Sequence, residues 1–178
     1  MAIPGIPHTP ANPNNLHPNK FVVTFNALPN IEYWAQSVNI PGVSAGEAIR
    51  QTPFVDLFSP GDKLNMNPFS ITFIVDEDLL GWLEIFHWMR GLTFPREFSE
   101  YRGLSRRPGQ FASAMPQFSD ATLTVLDSKQ NPHLRVKFTN CFPTSLTDIL
   151  LSSTSAPEDP VTADVVFRFD LFDIEALS

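Results

Sequence analysis

Residues Asn67–Pro95, NPFSITFIVDEDLLGWLEIFHWMRGLTFP, hold the strand and the helix around which the rest of the chain is predicted to pack. Two sets of side chains alternate at the start of this stretch: Phe69, Ile71, Phe73 and Val75 against Ser70, Thr72 and Ile74. The alternation has a period close to two residues, and the stretch is rich in β-forming residues. Together these features predict a strand with one fully buried face. Asp76–Asp78 suit a helix N-terminus, where carboxylates accept unpaired backbone N–H groups. Leu79–Leu92 is therefore predicted to be a helix, ended by Gly91 and Pro95.

The predicted helix is apolar around most of its circumference. Its polar positions form a narrow stripe with a spacing of three residues: Gly81, Glu84, His87 and Arg90. A surface helix normally exposes a broad polar face, and this helix is too short and too interrupted to span a bilayer. We therefore expect it either to lie centrally in its own domain or to be covered on a second side by another chain.

The composition predicts one globular, mainly β domain. Of the 178 residues, 43% are hydrophobic and 17% charged, as in folded domains, and 17 prolines argue against a mainly helical fold. The net charge of −7 disfavours a surface that grips nucleic-acid phosphates, which needs clustered Lys and Arg. Cys141 is the single cysteine, so no disulfide framework is expected. We also expect no signal peptide, no membrane segment and synthesis in the cytosol.

Residues 1–18 are predicted to form an extended, proline-rich arm ahead of a single domain at 19–178. The arm contains five prolines, which exclude a regular helix and leave gaps in any strand ladder. Two interpretations stay open. The arm is either a frayed tail or a segment that lies on a neighbouring subunit, since an extended proline-rich segment loses little entropy on docking.

Two hairpins are predicted between the arm and the central strand. Lys20–Ala27 and Ile31–Ile40 are predicted to pair across a short turn that contains Pro29. Val43–Asn67 is predicted to be a long, irregular hairpin that projects from the body. Pro60-Gly61 marks a turn in it, because Pro presets φ and Gly accepts positive φ. Inserts of this length usually have a function or pack against another surface.

Arginines cluster after the helix, within Thr93–Gln117: Arg96, Arg102, Arg106 and Arg107. This segment is either a solvated loop or a basic contact loop that faces the acidic surface of a partner.

The C-terminal part predicts three more strands. Apolar and polar side chains alternate along Asp120–Asp127 and along His133–Phe142. The two segments are predicted to form a hairpin with one solvent-exposed face. After a loop at Pro143–Pro160, Val161–Ile174 is predicted to be one long final strand. The expected class is mainly β (α+β), with one main helix at about 79–91 between strands and the projecting hairpin.

Motifs for catalysis or cofactor binding are missing from the sequence. It has no glycine-rich phosphate loop, no Cys/His spacing for zinc and no nucleophile elbow. Cys141 suits a small core position, and the acidic run Asp76–Asp78 is explained by the helix start. We therefore expect no enzyme activity, no cofactor and no metal.

The order of these parts resembles the tail tube proteins of contractile-tailed bacteriophages, including the tube-like proteins that start the tube at the baseplate. The resemblance covers about Asn19 to Ile174. In the N-terminal part it is carried by NKFVV at the first strand, SVNIPG at residues 37–42 and the hairpin Gln51–Met66. In the middle it is carried by the strand Phe69–Val75, which continues through Asp76-Glu77 into the helix. In the C-terminal part it is carried by Phe138–Phe142 before Pro143–Leu146 and by the final Phe-rich strand.

The resemblance implies a fold of two packed antiparallel sheets in a barrel-like sandwich, with the helix at about 79–91 flanking them. It also implies a structural subunit of a virion tail, assembled in the host cytoplasm. In that family six copies form a ring, inner sheets join around a lumen, and rings stack into a tube through which DNA passes. The implied partners are further copies, other tail or baseplate proteins and the tail sheath. DNA would pass without specific binding, which suits a lumen face in which Asp and Glu outnumber Lys and Arg.

The resemblance also leads to a hypothesis about the interfaces between subunits or rings. Gln51–Met66 would insert into a neighbouring subunit or ring through its apolar side chains. The complete set expected at interfaces is Phe54, Val55, Leu57, Phe58, Trp82, Phe86, Trp88, Arg96, Arg102, Arg106 and Arg107.

Three other functions stay open at this point. One is a single ring that starts, adapts or terminates the tube instead of stacking along it. Another is the tube of a type VI secretion or contractile injection system. The third belongs to a different class, a small β-sandwich that binds an apolar ligand among its many phenylalanines.

Overall fold

The computed structural model describes residues 15–16, 18–93, 95–100, 117–152 and 160–177. Within them the chain forms nine strands and two helices. The strands are β1 Phe21–Phe25, β2 Ala35–Val38, β3 Val43–Gln51, β4 Asp56–Met66, β5 Phe69–Ile74, β6 Ser119–Leu126, β7 Pro132–Leu146, β8 Thr162–Arg168 and β9 Leu171–Ala176; the helices are α1 Pro29–Trp34 and α2 Leu80–Thr93. The predicted mainly β class is confirmed.

Strand β7 joins two antiparallel layers because it is long enough to belong to both. Its first part pairs with β6 and β9, and β6 pairs in turn with β1. Its last part pairs with β8, followed by β5 and β2. We call these the first layer (β1, β6, β7, β9) and the second layer (β2, β5, β8, end of β7). In the described part of the chain the sheet does not close into a barrel.

Aromatic rings from the two layers meet in one core. Phe69 of the second layer lies 4.3 Å from Phe138 of the first, and Phe25 lies 5.0 Å from Phe167, measured between ring centroids. These four side chains are almost completely buried. Phe69 and Phe138 lie on strands in which buried residues alternate with more exposed ones. The predicted arrangement of two packed antiparallel sheets is therefore confirmed.

Helix α2 begins where the sequence predicts. The Asp76 carboxylate accepts the backbone N–H groups of Leu80 at 3.1 Å and Gly81 at 3.3 Å, which satisfies two donors that lack partners within the helix. Leu79 adopts φ 57° just before the helix. Ile85 is buried on the core side. The predicted flanking helix at about 79–91 is confirmed, with its C-terminus at Thr93.

The predicted polar stripe of this helix does not face solvent as a unit. Gly81 faces the core, because a Cβ atom there would lie 3.8 Å from Ile31 and from Phe73. Glu84 Oε1 accepts a hydrogen bond from Asn30 Nδ2 at 2.8 Å. Small and paired residues thus let α2 sit close to α1 and β5. Apolar Phe86 is left 41% exposed on the other side.

The predicted first hairpin is wrong. Residues 29–34 form α1, and β2 pairs with β5 while β1 pairs with β6. Pro29 suits the first turn of a helix, where its missing N–H is not needed. Ile31 is fully buried, and Glu32 Oε1 accepts the N–H of Phe25 at 2.7 Å. The helical turn therefore carries the chain from one layer to the other.

The predicted single final strand is also wrong, because it divides into β8 and β9. β8 pairs with β5 and the end of β7, whereas β9 pairs with the start of β7. The division lies opposite a bend in β7, where Asn140 has φ 55°. One straight strand could not follow β7 through that bend. A separate observation is that no helix in the described ranges is long and apolar enough to cross a membrane.

Candidate assembly surfaces

The β3–β4 hairpin is a two-stranded sheet of its own, which confirms the predicted projecting hairpin. Its tip is the turn Thr52–Val55. There the Thr52 N–H donates to the carbonyl oxygen of Val55 at 3.2 Å, and the Val55 N–H donates to Thr52 Oγ1 at 3.2 Å. The tip is therefore held by its own hydrogen bonds.

The predicted turn at Pro60-Gly61 is wrong, because both residues lie inside β4. The pairing register shifts between Ala45 and Glu47 of the opposite strand. A Cβ atom on Gly61 would lie 2.8 Å from the carbonyl carbon and oxygen of Gly46. Proline and glycine here make an irregularity in a strand, since Gly permits close approach of a neighbouring backbone.

Large apolar side chains of the hairpin are exposed in the subunit, and four of them lie at the tip and the start of β4. Phe54 is 98% exposed, and Val55, Leu57 and Phe58 are each more than half exposed. Exposed apolar side chains that lie close together mark interaction sites more often than isolated ones do. These are the four hairpin residues that the sequence assigned to an interface. Their interface role stays a prediction.

A second apolar surface lies along the outer side of α2. The Trp82 and Phe86 rings are stacked, with centroids 5.3 Å apart and an interplanar angle of 13°. Trp82 Nε1 also donates to the carbonyl oxygen of Thr147 at 3.2 Å. Beside this pair is a groove of about 550 Å³, which we call the α2 groove. It is lined by Trp82, Phe86, Met89, Thr93, Pro95 and Leu146, with Arg90 and Arg96.

Trp88 does not belong to this surface. Its side chain is only 1% exposed and packs towards Phe167, with ring centroids 6.2 Å apart. A side chain in the core cannot contact another subunit without unfolding this one. The structure therefore places Trp88 in the core of its own chain, in contrast to Trp82 and Phe86, which reach the α2 groove.

Of the predicted arginine cluster, only Arg96 is among the described residues. Arg102, Arg106 and Arg107 lie outside them. Arg96 is exposed at the edge of the α2 groove, and its backbone N–H donates to the Glu100 carboxylate at 3.3 Å.

Arg90, also at the α2 groove, forms an ion pair with Glu100. Partial burial of the Glu100 carboxylate favours its neutral form. Hydrogen bonds from Arg90 and from the Arg96 backbone, together with the Arg90 charge, nevertheless hold the pKa of Glu100 below its usual value. The charge of Arg90 is thus locally balanced.

The outer face of the first layer carries two rows of side chains that cross all four strands. The rows are Val22–Thr124–Arg135–Glu175 and Thr24–Thr122–Lys137–Asp173. Each row contains one cation and one anion, and Lys137 Nζ lies 2.8 Å from Glu175 Oε1. The hydrogen bond from Lys137 holds the pKa of Glu175 below its usual value. Sequence reasoning missed these rows, because the partner of each residue depends on which strands pair.

Metal-binding residues do not come together in the described part of the chain. No group of three or more His, Cys, Asp or Glu side chains there could hold an ion. Asp76 is occupied as the cap of α2.

Two packed antiparallel layers, a flanking helix and a projecting hairpin are the features that the resemblance to tube proteins of contractile tails implies. The comparisons with known proteins support this class. The chain is 23% identical over 176 residues to the tail tube terminator protein of Enterobacteria phage T4, covering 91% of this chain and 90% of that protein. No protein-family model matches the chain.

Solved structures show the same fold. The tube-terminating cap of the anti-feeding prophage superposes with a TM-score of 0.60 at 15% identity, over 99% of this chain and 100% of the other. A chain of the anti-feeding prophage baseplate also gives 0.60, at 13% identity, over 98% and 97%. The resemblance to contractile tail tube proteins that the sequence indicated is confirmed.

Proposed function

We propose that this protein is a structural, non-enzymatic subunit of a ring that terminates the tube of a phage contractile tail. The observation that carries the proposal is the end-to-end match to the T4 tail tube terminator, which leaves only a tenth of either chain unmatched. The anti-feeding prophage cap supports it through a superposition that covers 99% of this chain and 100% of the other. The sequence alone left this function as an alternative to the main tube subunit.

The proposed assembly is a closed ring of six copies around a lumen. Within one subunit the first layer ends at β1 and β9, each paired on one side among the described strands. Open strand edges invite uncontrolled pairing, and a closed ring removes them. The net charge of −7 suits a conduit that DNA crosses without specific binding.

The two rows on the outer face of the first layer affect the predicted charge of the lumen. If this outer face lined the lumen, the rows would contribute two cations and two anions. The predicted excess of Asp and Glu would then have to come from other residues, and it stays a prediction.

The ring would belong to the virion tail and assemble in the host cytoplasm. We propose that its partners are further copies of this chain, the tube, the sheath and other tail or baseplate proteins. The hairpin residues Phe54, Val55, Leu57 and Phe58 would contribute the apolar contacts between copies, because burying them recovers the free energy of exposed apolar surface.

Electron microscopy of the purified protein over a concentration series tests the proposal. We expect isolated six-fold rings that do not stack. Long tubes of uniform bore would instead identify a main tube subunit, and monomers at every concentration would contradict the ring. The double variant Phe54→Asp and Phe58→Asp should fold normally but form no rings. Normal rings from this variant would exclude the hairpin as an assembly element.

A second candidate is the ring that starts the tube at the baseplate. It is favoured by the anti-feeding prophage baseplate chain, which has the same TM-score as the cap. Mixing the purified protein with preformed tubes or with baseplates separates the two candidates, because each ring should bind only its own end of the tail.

A further inference from the structure

We propose that the α2 groove receives the tip of the β3–β4 hairpin from a neighbouring copy in the ring. This inference rests on the proposed function and names the partner of the hairpin. Phe54 would enter the groove beside the stacked Trp82 and Phe86 rings, and Asp56 would face Arg96.

The tip has the form of a preorganised anchor. Phe54 follows Pro53 and is 98% exposed, so almost its whole ring is available to a partner. The hydrogen bonds between Thr52 and Val55 hold the turn before any contact is made. Binding a turn that is already ordered costs little conformational entropy.

The groove has the size and chemistry for such an anchor. Its volume of about 550 Å³ exceeds that of one aromatic side chain and lies within the range of ordinary ligand pockets. The Trp82–Phe86 stack offers an aromatic wall. A third ring can pack on this wall, and aromatic pairs contribute free energy beyond that of simple area burial.

The charges at the two surfaces are complementary. Arg90 is balanced by Glu100. The Arg96 guanidinium is not paired with any carboxylate in the described ranges, and Arg96 lies exposed at the groove. Asp56 is exposed two residues after Phe54. An aromatic anchor followed by an acid thus matches an aromatic wall next to an arginine that pairs with no described carboxylate.

The occupant is a second copy and not the hairpin of the same chain. Within the subunit, β3 and β4 pair only with each other among the described strands, and the tip remains exposed. Tip and groove are different surfaces, so their contact is heterologous. A heterologous contact that repeats closes into a ring when its rotation divides a full turn evenly, as the proposed six-fold ring requires.

Cross-linking of two variants, each with one cysteine added to the buried Cys141, tests the contact. Val55→Cys lies beside the anchor and Thr93→Cys lines the groove, so an oxidised mixture should give a disulfide-linked dimer of one chain of each variant. The matched control replaces Thr93→Cys by Ser128→Cys, in the exposed turn between β6 and β7. The unsubstituted chain, with its buried Cys141, should give no dimer.

The outcomes separate this inference from the proposed function, since the same samples are imaged. Rings together with the expected dimer support both. Rings without that dimer, or with an equal yield from Ser128→Cys, overturn the hairpin contact and leave the ring standing. Monomers in every sample overturn both.

A charge exchange tests the proposed pair directly. Asp56→Lys and Arg96→Glu should each raise the protein concentration needed for ring formation by about two- to fivefold, the range of a partly exposed ion pair. The double variant should return to within about twofold of the unsubstituted protein. A double variant that assembles no better than either single variant overturns the Asp56–Arg96 contact.

Discussion

The Asn140 side chain donates a hydrogen bond to the Asp170 carboxylate at 2.6 Å, which ties the bend in β7 to the break between β8 and β9. Two further contacts hold the same corner. The Asn140 N–H donates to Asp120 Oδ1 at 3.2 Å, and the Asp170 N–H donates to the carbonyl oxygen of Thr139 at 3.1 Å. The passage of β7 from one layer to the other is therefore organised around Asn140.

Substitutions at Asn140 should separate backbone strain from the side-chain hydrogen bond. Both Asn140→Gly and Asn140→Ala lose the bond to Asp170. Only glycine accepts φ 55° without strain, so Asn140→Ala should lower the free energy of unfolding by about 1–2 kcal/mol more than Asn140→Gly. Urea denaturation measures the difference. Equal stabilities would show that the corner tolerates the left-handed conformation for any residue.

Removal of the α2 cap should destabilise the protein. Asp76→Ala leaves the N–H groups of Leu80 and Gly81 without the carboxylate, which should lower the free energy of unfolding by about 1 kcal/mol. Glu77→Ala is the matched control, because the exposed Glu77 makes none of the capping bonds found among the described residues and its loss should cost less than about 0.5 kcal/mol. Urea denaturation of both variants at neutral pH checks this. The prediction fails if the two lose equal stability.

A methyl group at Gly61 should distort the hairpin. In Gly61→Ala the new Cβ would lie 2.8 Å from the Gly46 backbone, so the strands must separate there. Amide hydrogen exchange should become faster across β3 and β4, with little change in β5 or β8.

Gly46→Ala is the control for this distortion, because its Cβ would meet its nearest neighbour, the Lys63 carbonyl oxygen, at an ordinary 3.7 Å. Faster exchange in Gly46→Ala than in Gly61→Ala would contradict the packing described for this irregularity.

The Cys141 thiol should be inert in the folded protein. Burial, followed by the negative charge of Asp120, raises the pKa of Cys141 to about 12. At pH 8 roughly one thiol in ten thousand is then ionised, and the thiolate is the reactive form. A disulfide reagent such as DTNB should therefore label the protein only after denaturation. Rapid labelling without denaturant would show that the β6–β7 region opens readily.

Local patterns in the sequence determined several elements correctly. The alternation at Phe69–Val75 predicted β5, and the acidic run that begins at Asp76 predicted the start of α2. The alternating hairpin of β6 and β7 and the projecting hairpin were predicted as well. The physical reason is that strand alternation and helix capping depend on residues within a few positions of each other.

Only the tertiary structure decided how these elements meet. The sequence pattern predicts that Ile31 lies in a strand, but in the structure it lies in the short helix α1, from which its side chain is buried in the core. Trp88 and Phe86 look equivalent on an apolar helix, yet one is buried in the core and the other reaches the α2 groove. The bend at Asn140 divides a continuous β pattern into β8 and β9. Such outcomes depend on contacts between residues far apart in the chain, so no local pattern contains them.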